Sequence, residues 1–227
     1  MLTNIEVKKM LIAISEMYGE REEELSLYDA VIGDGDHGVT MARGARAAIQ
    51  KMQSMEEGSV EDFFKAYGRT LVSTLGGAIG PLFGSLFLEW AKAAKGKEMF
   101  DVNVLCTGLA RGEEKIMSLG GAVLGDKTML DAIHPTVLSL IESLNNKDTL
   151  AEGLEKAKIA AREGRDATVP MMALKGRSRH AKELSVGHVD AGAASFYYLM
   201  ETMENFVASR YDGKSTEAIV KAIGNGD

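Results

Sequence analysis

The sequence predicts an all-α protein, a bundle or barrel of about eight antiparallel helices in one domain spanning residues 1–227. Three observations carry this. Apolar residues recur with a period near 3.6 along most of the chain. Only 3 prolines interrupt its 227 residues. No segment of strand length alternates apolar and polar residues.

The elements follow in order. Leu2, Ile5, Val7, Met10, Leu11, Ile14 and Met17 form the first apolar face, and Phe63, Phe64, Tyr67, Leu71 and Val72 form the second. The run from Leu82 to Ala94 is a third, richer one. Val102, Leu105, Leu109, Ile116 and Leu119 follow, then Val137, Leu138, Leu140, Ile141 and Leu144. The stretches Leu150–Ala161, Ala191–Val207 and Ala218–Ile223 complete the set. Connections are short except near 26–38, 73–81, 120–128 and 165–190. Glycines gather in those four stretches, where they end helices or let backbone N–H groups approach a ligand. In an up-and-down arrangement several of them converge at one end.

Bulk properties exclude several function classes. A hydrophobic content of 45% supports a sizeable core. A net charge of −7 argues against a nucleic-acid partner, which demands a basic face. The single cysteine, Cys106, forms no internal disulfide. The first twenty residues lack a secretory pattern and no stretch has the length of a membrane span, so the expectation is a cytoplasmic protein with no membrane partner.

The chemistry concentrates in Leu27–Gly38, LYDAVIGDGDHG. Three carboxylates, Asp29, Asp34 and Asp36, fall within eight residues. Asp34 and Asp36 flank a glycine and can face the same way in an extended loop, and Asp29 can fold back across Gly33. Like charges this close require a cation, and hard oxygen donors favour Mg²⁺ or Ca²⁺. An EF-hand fails on spacing, because the twelfth position from Asp34 is Ala45 rather than Glu. The alternative is that Asp36 merely caps the helix that starts near Gly38. As a metal loop, it feeds a helix whose free N–H groups suit a phosphate.

Three further loops fit that ligand. Gly76–Gly84, GGAIGPLFG, lacks the Lys–Ser/Thr ending of a P-loop, yet leads glycines into a helix with Pro81 in its first turn. N–H groups near Ala78 and Ile79 suit a diphosphate. In Gly120–Asp131, GGAVLGDKTMLD, Asp126 is the expected N-cap and Met129 offers a soft surface to a purine. Pro135 is expected to kink or break the next helix. The basic run Lys175–Lys182, KGRSRHAK, reads either as a solvated mobile loop or as a lid presenting an arginine to phosphate. His37, His134, His180 and His188 lack metal-ligand spacing, and no Ser/His/Asp triad is visible.

At YDAVIGDGDHGVTMARG, GGAIGPLFG, GDKTMLDAIHP and KGRSRHAKELSVGHVDAG the chain resembles the DhaL family, the nucleotide-binding subunits and domains of dihydroxyacetone kinases. The resemblance implies an eight-helix antiparallel barrel with a nucleotide site at one end. It implies two Mg²⁺ on Asp29, Asp34 and Asp36, and ADP or ATP contacted by His37, Gly38, Val39, Thr40, Ala78, Ile79, Gly120, Met129, Arg177, Asp190, Ala191 and Gly192, with Arg177 catalytic. It further implies a phosphotransferase whose keto-sugar is bound covalently to a histidine of a separate DhaK-type subunit. A DhaM-type phosphocarrier is the implied donor in phosphoenolpyruvate-linked versions and ATP in others, and a homodimer is left open. The sequence departs from the family at Val31, at Ile79 in place of serine, at Thr40 in place of asparagine, and at Val189 and Ala191. These departures bear on which small ketose is used, dihydroxyacetone or a tetrose. Two other readings stand beside this one: a nucleotide sensor that binds a transcription regulator without catalysis, and the nucleotide domain of a fatty-acid kinase.

Overall fold

Local signals decide where each helix begins. In the computed structural model, which describes residues 1–211, α1 (Asn4–Glu20) starts at Thr3, whose side chain and that of Glu6 form a reciprocal capping box. After a break at Arg21, α2 (Glu22–Ile32) opens with three glutamates, which suit the positive end of a helix, and stops at Gly33. α3 (His37–Ser54) follows directly. α4 (Val60–Thr74) repeats the capping box with Ser59 and Asp62. α5 (Ile79–Ala93) carries Pro81 in its first turn. α6 (Val102–Gly120) is capped by Asp101 and closed by the left-handed Gly121. α7 (Leu130–Asn146) follows a loop, and α8 (Leu150–Ala167) begins at the Thr149–Glu152 capping box. A segment with two short 3₁₀ turns, Ser178–His180 and Lys182–Ser185, leads to α9 (Ala191–Tyr211).

The helices pack in a closed cycle. α1 lies against α3, each helix from α3 to α8 lies against the next, and α9 returns to α1. α2 stands outside the cycle, chiefly against α3 and α9. The fold is all-α among the described residues, with one isolated backbone pairing between Leu2 and Phe100. The cycle encloses Phe63, Phe64, Tyr67, Phe83, Phe87, Trp90 and Phe196. Trp90 donates its indole N–H to the Leu105 carbonyl at 2.9 Å, and Gly108 makes room for it, since a Cβ there would overlap the indole.

Several expectations need correction. The stretch 26–38 is mostly helical: α2 runs to Ile32, because no glycine or proline intervenes before Gly33. The connection expected at 73–81 shrinks to residues 75–78. Pro135 does not break α7, which runs through it. The proline removes a donor to Asp131, and α8 crosses there through Gly164, where a Cβ would lie 2.5 Å from the Asp131 carbonyl oxygen and 2.9 Å from Pro135. Ile5, Val72, Leu119, Leu138 and Ile141, assigned to apolar faces, are exposed. The expected helix at Ala218–Ile223 lies outside the described residues.

Candidate functional site

Asp29 sits in the last turn of α2, not in a loop, and is buried. Its backbone carbonyl accepts the Gly33 N–H at 2.6 Å, and its carboxylate accepts the His37 N–H at 3.3 Å. Gly33 must lack a side chain, because a Cβ would overlap the Asp29 carboxylate. Gly35 turns the loop with a φ of 75°. As a result each of Asp29, Asp34 and Asp36 places a carboxylate oxygen within 4.8 Å of the others. Asp36 occupies the N-cap position of α3, yet its side chain makes no capping bond. The capping alternative therefore fails, and this carboxylate instead accepts from Arg177. Burial and the Asp29 charge push the Asp36 carboxyl up, against the pull of Arg43. Hard oxygen donors that strain against their own repulsion fit a small divalent cation.

His37 points inward. It is buried, its Nε2 lies 2.6 Å from the Ser195 Oγ of α9, and burial lowers its pKa to about 4, so the ring is neutral. What this position offers a ligand is the backbone of the first turn of α3. Gly38 and Thr40 are buried and Val39 is exposed. Gly38 lets α3 rest on the backbone of α2 at Glu22.

The Gly76–Gly77–Ala78 turn lies beside the guanidinium groups of Arg43 and Arg177. Gly77 has a φ of 63°, and α5 starts at Ile79 with no side-chain cap. Ala78 is exposed, whereas Ile79 is half-buried against the core. The Arg177 guanidinium forms ion pairs with Asp34 and with Asp36, the latter at 2.9 Å, and a Cβ on Gly77 would lie 3.7 Å from it. The basic run thus reaches the aspartates.

The third loop corrects one expectation. Asp126 does not cap α7: its carboxylate takes the Val123 N–H at 2.9 Å, closing a turn. Asp131, inside the first turn of α7, receives the N–H groups of Gly125 and Thr128 instead. Gly120 ends α6. Met129 is buried beside Gly192, whose Cβ would lie 3.4 Å from that of Met129. Asp190 accepts the Ala193 N–H at 2.8 Å at the start of α9, where Ala191 is buried. Its carboxyl is raised to about 7 by burial and by the charges of Asp131 and Asp29, opposed by the Ala193 N–H and by Lys127.

Two residues escaped the sequence reading. Lys127 is 1% exposed, with a φ of 60°. Its Nζ lies within 2.5–3.1 Å of the carbonyl oxygens of Thr168, Met171, Ser185 and His188, which tie the 168–188 segment to the loop before α7. Ser185 adds a bond to the Ala173 N–H, and Asp126 accepts from the Leu174 N–H. The two ends of the 168–188 segment are thus anchored from within, while most of Lys175–Lys182 between them is exposed or half-buried. Arg43, seven residues after Asp36 on α3, is the other.

With the geometry in place, comparison with known proteins decides the family. The DAK2 domain matches residues 31–205. The chain belongs to the DAK2 domain family. Asp34 and Asp36 fall inside the matched span of this DAK2 chain and Asp29 just before it. The chain is 33% identical over 202 residues to the protein named "PEP-dependent dihydroxyacetone kinase, ADP-binding subunit DhaL" of Escherichia coli, covering 89% of this chain and 96% of that one. It is 36% identical over 208 residues to the corresponding PTS-dependent DhaL subunit of Lactococcus lactis, covering 92% and 100%. A D-erythrulose kinase of Mycolicibacterium smegmatis is 32% identical, and the match covers 92% of this chain but 36% of that longer protein. Among solved structures, the dihydroxyacetone kinase of C. freundii in complex with AMP-PNP and Mg²⁺ superposes with a TM-score of 0.68 at 26% identity, covering 87% of this DAK2 chain and 33% of that one. No helix among the described residues is long and apolar enough to cross a membrane.

Proposed function

We propose that this DAK2 chain, as one domain, holds a magnesium–adenine nucleotide and passes a phosphoryl group to dihydroxyacetone or a related small ketose carried by a separate DhaK-type subunit. The observation that carries this reading is the convergence of the three carboxylates, within 4.8 Å of one another, with Arg177 and the Gly76–Ala78 turn. Similarity along nearly the whole length of two ADP-binding subunits supports a stand-alone subunit that retains ADP and is recharged by a DhaM-type phosphocarrier.

Asp29, Asp34 and Asp36 would hold two Mg²⁺, which would supply positive charge to offset that of the phosphates. The chain's own groups do the rest. The first turns of α3 and α5 aim backbone N–H groups and positive dipole ends at the phosphates. Arg177 exchanges its carboxylate partners for the oxygens of the transferring phosphoryl group, where a planar fork binds best. Lys127 keeps the segment that delivers Arg177 in place. Gly120, Met129 and Asp190–Gly192 form the wall for the nucleoside. Catalysis here is positioning and electrostatics, with no covalent intermediate on this chain.

Asp34→Ala is expected to abolish Mg-dependent ADP binding by titration calorimetry and turnover with a DhaK-type subunit and ketose, while far-ultraviolet circular dichroism stays native. Unchanged binding and turnover would refute the site. Tight nucleotide binding by the unaltered chain, with no transfer to any small ketose in the reconstituted system, would favour the sensor reading instead. Purified protein that carries slowly exchanging ADP would support the phosphocarrier route over direct use of ATP.

A further inference from the structure

Arg43 lies on α3 two helical turns beyond Asp36, about 10.5 Å along the axis. It therefore lies on nearly the same face of α3 as Asp36, farther along the helix and beside Gly76. The packing there is tight. Gly44 admits the side chain of Leu75, which a Cβ would overlap, so the backbone just after Leu75 is pressed against α3. A Cβ on Gly76 would lie 3.5 Å from the Arg43 Nη2, as one on Gly77 would lie 3.7 Å from the Arg177 Nη2. Two guanidinium groups thus approach consecutive glycines, one from α3 and one from the lid.

Their circumstances differ. Arg177 is paired with Asp34 and Asp36. Arg46, one turn after Arg43, is paired with Glu22 at 3.4 Å. Arg43 is exposed and has no ion pair or hydrogen bond among the described residues, although its charge reaches Asp36. Its neighbours are the Gly76–Gly77 turn and the uncapped first turn of α5. An unengaged fork beside glycines that expose backbone, within reach of a carboxylate cluster suited to a cation, matches a ligand with several anionic oxygens.

We propose that Arg43 binds the phosphate chain of the nucleotide from the α3 side of the glycine turn, as a second arginine beside Arg177. This rests on the nucleotide-holding function above and adds a specificity element to it. A diphosphate carries oxygens on two phosphorus atoms, one for the carboxylate-held cation and one for the guanidinium, whereas a monophosphate has one to share between them. Arg43 therefore favours ADP over AMP.

The test is calorimetric titration of the full chain with Mg-ADP and Mg-AMP for the unaltered protein, Arg43→Gln and Arg43→Lys. Arg43→Gln is expected to weaken ADP binding about 10- to 100-fold, the range for losing one charge-assisted contact. AMP binding should change less than about threefold, and the melting temperature of the nucleotide-free protein should stay within about 2 °C. Arg43→Lys, which keeps the charge but not the fork, should fall between the two. Both variants binding ADP as the unaltered chain does would overturn the assignment, as would an equal loss for ADP and AMP. An unaltered chain that binds no Mg-ADP would instead overturn the proposed function, and Arg43 with it.

Discussion

The two ends of the helical cycle are built differently. At one end start α1, α4, α6 and α8, each with a side-chain cap: Thr3, Ser59 and Thr149 in reciprocal boxes, and Asp101 singly. Contacts between these starts confirm that they share an end, including the Leu2–Phe100 pairing and the bond from Asn4 to the Gly58 carbonyl. At the other end start α3, α5, α7 and α9. Of these, α3, α5 and α7 have no side-chain cap. A helix start leaves four N–H groups without intrahelical partners. The first end caps each start with the residue just before the helix, whereas at the second the His37 and Ala193 N–H groups go to Asp29 and Asp190, and α5 has no side-chain cap. Under the proposed function, the capped end serves stability and the other end the ligand.

The lid is where that contrast is most exposed to damage. Lys127→Met would leave up to four buried carbonyl oxygens without their donor. The expected loss is about 3–5 kcal/mol in urea unfolding. Limited proteolysis should then cut within 168–188 before the rest of the chain. Retained stability and an uncut lid would show that Lys127 is not the anchor.

A smaller effect concerns pH. The unfolded His37 titrates near 6.5 and the folded one near 4, so the unfolded state binds more protons between those values. Its contribution is complete above pH 6.5 and is lost as pH falls toward 4, by up to about 3 kcal/mol. Asp190 acts in the opposite sense, since its raised pKa of about 7 makes stability fall as pH rises from about 4 to 7. Unfolding of His37→Gln measured from pH 4 to 7 should show the acid-side loss diminished relative to the unaltered protein. An unchanged pH slope would contradict the buried, neutral imidazole.

The smallest effect tests the two ends directly. Ser59→Ala should cost about 1 kcal/mol of stability and leave nucleotide affinity alone. Ala78→Asp should do the reverse, adding about 0.5–1 kcal/mol through a new cap and the α5 dipole while repelling phosphate and weakening Mg-ADP binding. Equal behaviour of the two variants in melting and calorimetry would dissolve the distinction between the ends.

How much of this was legible follows from what each residue depends on. The aspartates, Gly76–Gly77 and the Thr3 and Ser59 starts depend on neighbours a few positions away, and their patterns are visible in the chain. Asp29 in α2 is a partial case: the carboxylate was visible, but the helix carrying it has only three buried residues, Leu25, Asp29 and Ile32, and gives a weak apolar face. α3 is similar, burying glycines and alanines rather than a stripe of large residues. Lys127 depends on four carbonyls spread over residues 168–188, and backbone oxygens carry no residue signature. Pro135 depends on Gly164, which lets the next helix cross where a longer side chain would collide. The role of Arg43 depends on Gly76, brought beside it only by the packing of Leu75 on Gly44.

One carboxylate of the proposed metal cluster stands on α2, the helix that the closed cycle passes by. The ring can therefore keep its geometry while α2 is recharged at the exposed Glu23. Ion preference and grip on the nucleotide can drift through this one appended element, with the enclosing architecture left untouched. In evolutionary terms the proposed coordination sphere would have an adjustable strut bolted to a fixed frame.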